Sequence, residues 1–214
     1  MPELHVVAGP NGVGKTTIFK NLVPQGLDYI NADLIAKTIK EKARGLNTQD
    51  LANREAAKIF YDKAAKNESF AIETNLFDVE TYKSFQGLQA KGYQVFIYFL
   101  AVDDVEICIS RVKLRVSQGG HNVNPDVIRQ RYASGLSLLK HYKHFPDVLL
   151  MIDNSDGTLR TEVELRKGII HQQSNPCKDW VKTIIEQARP QESVREKKSV
   201  EEVRKLYKKG KGSK

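Results

Sequence analysis

Apolar positions fall in short runs bounded by turn signals, separated by longer amphipathic stretches. Leu4–Ala8, Asp28–Asn31, Ser69–Glu73, Gln94–Leu100 and Val148–Asp153 each read as a strand. The last two are almost continuously apolar, as strands buried on both faces are. Helical stretches are predicted near 15–22, 33–43, 48–67, 78–91, 104–118 and 125–141. Strands alternating with helices predict an α/β fold, a mainly parallel sheet of five strands sandwiched between two helical layers. After Asp153 the pattern changes. Thr161–Leu165 and Ile169–Gln173 flank the turn Lys167-Gly168 and predict a hairpin, and 177–188 around Trp180 predicts a closing helix. Pro190 ends this pattern, so residues 1–189 are expected to form one domain and 190–214 a basic tail, with a helix at most over 200–209.

Composition narrows the partners. The 214 residues are 40% hydrophobic and 28% charged, ordinary globular values that exclude a fibre or a fully disordered chain. The net charge is +8, but 190–214 hold nine Lys or Arg against four Asp or Glu, so +5 of it sits in the tail. A nearly balanced body argues against a broad nucleic-acid surface, and a solubilising tail is the simpler reading. No apolar run reaches the roughly 18 residues of a membrane span. The start, MPELHVVAG, lacks the basic n-region of a signal peptide, and Cys108 and Cys177 suggest neither a disulfide framework nor a metal site, so a cytoplasmic monomer is expected.

The chemistry is concentrated in four segments. Gly9-Pro10-Asn11-Gly12-Val13-Gly14-Lys15-Thr16, followed by Thr17, is a full G-x-x-x-x-G-K-[ST] match between a strand and a helix. Its glycines let backbone N–H groups converge on a polyphosphate, Lys15 would reach the β- and γ-phosphates, and the Thr16 hydroxyl would ligate Mg²⁺. Asp33, in Asn31-Ala32-Asp33 after the second strand, is either a base for an acceptor hydroxyl or the N-cap of the next helix. Glu73-Thr74-Asn75 brings three polar groups abruptly to the end of the third strand, where open α/β sheets bind ligands. Finally, Arg111 and Arg115 share one helix face, Gly119-Gly120-His121 and Pro125 break the chain, and Arg129 and Arg131 follow on the return. That hairpin reads as a lid whose guanidinium forks match phosphate oxygens, with a solvated basic face as the bland alternative. An ABC-type or other non-kinase P-loop ATPase fits less well, because Asn154 follows Asp153 where a catalytic Glu belongs.

Taken in order, GPNGVGKTT, INADLIA, AIETNL and RVKLRVSQGGHNV with IRQRY resemble the zeta-toxin-like P-loop kinases over residues 4–188. The resemblance implies a P-loop NTPase fold with strand order 2-3-1-4-5 and a helical lid. It further implies a kinase that uses ATP and Mg²⁺ to phosphorylate a hydroxyl of a nucleotide sugar, typically UDP-N-acetylglucosamine. Asp33 would be the base, and Glu73 with Thr74 would face the substrate, together with Asn31, Asn75 and His121. Arg111, Arg115 and Arg131, with Arg129, would hold phosphates. The resemblance also leaves room for an antitoxin protein as partner. Other small-molecule or polynucleotide kinases share Lys15, Asp33 and the lid arginines, so a different hydroxyl acceptor is the alternative reading.

Overall fold

The computed structural model describes residues 1–42, 48–186 and 189–195. The first five strands are β1 (Glu3–Ala8), β2 (Asp28–Ile30), β3 (Phe70–Thr74), β4 (Gln94–Ala101) and β5 (Val148–Asp153). They pair in parallel in the order β2-β3-β1-β4-β5, with Ala8 opposite Thr74 on one side and Phe99 on the other. This is the expected 2-3-1-4-5 order. Helices α1 (Lys15–Leu22), α2 (Ala32–Lys42), α3 (Thr48–Ala65), α4 (Val79–Ala90), α5 (Val105–Ser117) and α6 (Pro125–Tyr142) lie within two residues of the predicted bounds.

The strand count differs from the sequence reading. β6 (Arg160–Arg166) and β7 (Ile169–Gln173) do form the hairpin, but β6 pairs antiparallel with β5, and β8 (Arg189–Arg195) runs parallel to β7. Among the described residues the sheet therefore has eight strands, not five. The reason is edge protection: β5 is buried at every position, and an apolar edge strand with open N–H and C=O groups would template aggregation. The closing helix is α7 (Asp179–Ile185). Pro190 does not end the fold as expected: β8 carries the chain on to Arg195, because its pairing with β7 outweighs one missing N–H on an edge strand. The rest of the expected 190–214 tail, and the helix expected within it, lie outside the described residues.

Alternation along the strands builds two cores. Leu4, Val6 and Ala8 of β1 and Val95, Ile97 and Phe99 of β4 face one side, where Phe60, Phe85, Leu139 and Trp180 cover them. Val7, Phe96, Tyr98 and Leu100 face the other, under Ile18, Leu22, Cys108, Ile109 and Ile128. The result is the three-layer arrangement expected. Because β1, β2 and β3 are parallel, the loops that leave their carboxyl ends, carrying Gly9–Thr16, Asn31–Asp33 and Glu73–Asn75, all open on one edge.

The first of these loops is pressed onto its neighbours. A Cβ at Gly9 would lie 2.2 Å from the Leu100 carbonyl oxygen, and one at Gly12 would lie 2.3 Å from that of Cys108. Gly12 also has a φ of 84°, where side chains are strained. We expect Gly12→Ala to destabilise the fold by about 2 kcal/mol or more, since backbone cannot yield as a side chain can. Gly135, inside α6, is the contrast: a Cβ there would meet Phe99 at 3.6 Å, an ordinary contact. Gly135→Ala should gain up to about 1 kcal/mol from helix propensity. Urea denaturation of both variants checks the pair, and equal effects would overturn the packing argument.

Candidate active site

The P-loop meets a helix that is left open for an anion. Asp78, Asp104 and Asn124 accept from the first turns of α4, α5 and α6, but α1 starts at the left-handed Gly14 with no side-chain cap and no acid in its first turn. Its first N–H groups and its dipole therefore face outward over Thr16 and Thr17, which are exposed. Lys15 is buried and folds back on the loop, donating to the Gly9 carbonyl at 2.8 Å, the Pro10 carbonyl at 3.0 Å and Asn75 Oδ1 at 3.0 Å. Burial pulls its pKa below the usual lysine value, while Glu73 and Asp33 push the other way. Asp33 is thus within electrostatic reach of the ammonium.

Glu73 is the second centre. Its carboxylate straddles the Thr16 hydroxyl, which donates at 2.8 and 3.1 Å. Tyr29 Oη also donates to it, and Asn31 Nδ2 donates at 2.8 Å. The Tyr29 ring stacks on Phe19 with centroids 3.5 Å apart, and burial together with Glu73 raises its pKa. A threonine hydroxyl facing a carboxylate is a pair of hard oxygen donors. Such a pair suits Mg²⁺, which keeps most of its shell for water and phosphate. Among the described residues no cluster of three or more His, Cys, Asp or Glu side chains could hold a metal alone.

The N-cap of α2 is not Asp33. Asn31 Oδ1 accepts from the backbone N–H of Asp33 at 2.8 Å and of Leu34 at 3.1 Å. Asn31 is the cap; Asp33 lies in the first turn, exposed, and its carboxylate makes no hydrogen bond or ion pair among the described residues. The same observation changes the place of Asn31, expected to face substrate: at 3% exposure it spends its amide on the protein itself. Thr74 likewise turns inward, its hydroxyl accepting from the Leu76 N–H at 3.1 Å.

The lid arginines separate. Arg131 donates to Asn11 Oδ1 of the P-loop at 2.9 Å and sits 5.0 Å from the Phe77 ring centroid. Arg115 holds the His121 carbonyl at 2.9 Å, and Arg111 holds the carbonyls of Asn154 at 2.9 Å and Ser155 at 3.1 Å. Arg115 Nε and Arg111 Nη1 are buried without a hydrogen-bond partner among the described residues. An orphaned guanidinium N–H beside a P-loop is a donor awaiting an acceptor. Arg129 is not brought to the loop; on an exposed face it pairs with Glu106 at 2.8 Å and Asp126 at 2.9 Å, tying α5 to α6. His121 is exposed and contributes its backbone carbonyl rather than its ring.

Two residues escaped the sequence reading. Tyr29 looks like a core aromatic, and nothing in its strand pattern signals that its hydroxyl reaches Glu73. Asn154, buried beyond β5, donates from Nδ2 to the Val13 carbonyl at 2.7 Å and braces the P-loop from behind. A polar residue directly after an apolar strand end was the one signal available for it.

Comparison with known proteins follows this geometry. A curated Haemophilus influenzae protein, described as uncharacterized, is 28% identical over 124 residues, covering 58% of this chain and 88% of that protein. Among solved structures, a candidate kinase of Chloroflexus aurantiacus is similar with a TM-score of 0.55 at 18% identity, over 72% of this chain and 89% of that one. The PezAT toxin–antitoxin system of Streptococcus pneumoniae gives a TM-score of 0.56 at 21% identity, over 74% and 69%. The ATP-bound AvrRxo1-ORF1:-ORF2 structure gives 0.62 at 13%, over 91% and 66%. These likenesses agree with an α/β P-loop NTPase-like fold. The model of the AAA domain family matches residues 4–135, more than half of the chain and all of the P-loop, Glu73 and lid-arginine segments, and the chain belongs to that family.

Proposed function

We propose that this protein is an ATP-dependent kinase that transfers the γ-phosphate to a hydroxyl of a nucleotide sugar such as UDP-N-acetylglucosamine, in a catalytic domain expected over residues 1–189 and extended by β8 to Arg195. The observation that carries the reading is Asp33. Asn31 relieves it of capping, so an exposed carboxylate without a partner among the described residues stands on the P-loop edge, where an acceptor hydroxyl would present its proton. The likeness to the zeta-type fold supports the choice of acceptor, and the partner protein in the PezAT and AvrRxo1 structures supports an antitoxin-like partner. Among the described residues no helix is long and apolar enough to cross a membrane.

In this reading the uncapped N–H groups at the start of α1 cradle the phosphates, and Lys15 exchanges its loop carbonyls for β- and γ-phosphate oxygens. Mg²⁺ would be held by Thr16, with Glu73 behind it, and would neutralise charge between the phosphates. Asp33 orients the acceptor hydroxyl and takes its proton as the oxygen attacks the γ-phosphorus, while the bond from that phosphorus to the β–γ bridging oxygen breaks and ADP leaves with the electron pair. Arg115 and Arg131 stabilise the transferring group, Arg111 completing the anion site with its orphaned Nη1. Exclusion of water depends on closure of the α5–α6 hairpin.

Incubation of the purified protein with ATP, Mg²⁺ and a panel of UDP-sugars, other sugars and oligonucleotides, followed by mass shift, tests the acceptor. A phosphorylated UDP-sugar supports the reading, and transfer to another class replaces the acceptor. Lys15→Ala should lower transfer by about 10²–10³, the usual effect of losing one preorganised donor to developing charge. Asp33→Asn should unfold at the wild-type temperature and bind ATP, yet lose about 10²–10⁴ in rate; retained transfer would remove Asp33 from the mechanism. Arg131→Ala or Arg115→Ala should lower kcat far more than ATP affinity, and equal losses would reduce these arginines to ground-state binding.

A further inference from the structure

Asn31 makes four hydrogen bonds with one buried amide. Oδ1 accepts from the N–H groups of Asp33 and Leu34, and Nδ2 donates to Glu73 Oε2 at 2.8 Å and to Tyr29 Oη at 3.2 Å. The amide oxygen is thus given over to the helix, and the amide nitrogen is aimed at the hydrogen-bonded Tyr29–Glu73 pair. We propose that Asn31 is a positioning residue that locks two parts of the site together: the helix turn carrying Asp33 and the Glu73 carboxylate that faces Thr16.

The residue type follows from the two tasks. A cap alone is equally well made by Ser or Asp. Neither also serves Glu73. A serine hydroxyl that caps α2 is too short to reach across to the carboxylate, and an aspartate would set one carboxylate against another. Only an amide offers an acceptor to the helix and a donor to Glu73 from one rigid plane. The rest of the Glu73 environment is arranged to match. Tyr29 of β2 holds the same Oε2 and is itself fixed by its stack on Phe19, so what Asn31 adds is the link from Glu73 on to the first turn of α2. A shift of Asn31 would therefore move the acceptor base and the group behind Thr16 together. Its activity readout rests on the kinase reading above.

A double-mutant cycle tests the lock. Asn31→Ser keeps a capping oxygen, so its unfolding midpoint should stay within about 2–4 °C of wild type. Its kcat for transfer should fall about 10²-fold with little change in KM for ATP, as for an ångström-scale misplacement. In a Glu73→Ala background the same change should add less than about twofold, because the partner is gone. Asn31→Asp, which also caps, should reproduce the loss and carries the test if the serine variant does not fold. Multiplying losses in the double variant, or wild-type kcat in the single ones, would overturn the proposal. If the unaltered protein transfers phosphate to no acceptor, the kinase reading falls instead. The cycle is then read on Mg²⁺·ADP affinity by calorimetry, where non-additivity supports the lock and additivity overturns it.

Discussion

A charged lysine cannot be buried without oxygens to receive it, and Lys15 is placed where only the backbone of its own loop can supply most of them. The Gly9 and Pro10 carbonyls and the Asn75 amide oxygen take its three donors, while Glu73 and Asp33 offset part of the cost of removing the ammonium from water. Those carbonyls converge only because the loop runs flat against β4 and α5, which in turn requires that Gly9 and Gly12 carry no side chain. The geometry of the P-loop, the burial of Lys15 and the polar ends of β3 are therefore one constraint. A polyphosphate would relieve it by offering the ammonium better acceptors than neutral carbonyls.

Charge at the site is balanced by pairing across elements rather than within them. Glu73 comes from β3, its donors from α1 and from the end of β2, and Asn31 passes the connection on to α2. Parallel strands make this possible, since adjacent carboxyl ends emerge on one edge with their loops side by side. On the opposite side of the P-loop, Arg111, Arg115 and Arg131 do the same for the α5–α6 hairpin. Each is anchored to a loop carbonyl or to Asn11, and two keep a buried donor. Among the described residues these two donors have no hydrogen-bond partner. Arg129, with both of its acids nearby, is the contrast.

The first five strands as segments, the six helices before the lid's end and the phosphate loop were legible in the sequence, because period and turn chemistry are local and the G-x-x-x-x-G-K-T spacing is itself a backbone geometry. The 2-3-1-4-5 order of those strands came from the family resemblance. The shared edge of Asp33, Glu73 and the P-loop followed from parallel pairing alone. Side-chain pairing was not legible. Whether Asp33 or Asn31 caps α2 depends on which of two neighbouring polar residues swings back onto the helix, and both satisfy the same local rule. The destination of Tyr29 Oη, the brace from Asn154 to Val13, and the division of the arginines between phosphate side and surface depend on contacts between residues tens to more than a hundred positions apart. The hairpin was visible in its alternation, but its merger with β5 was not, because edge protection is a property of the assembled sheet. Sequence alone determined which groups could do the chemistry, since residue type and local spacing carry that much. Tertiary structure decided which of them are free to do it, because a polar side chain's availability is set by the partners that folding brings to it.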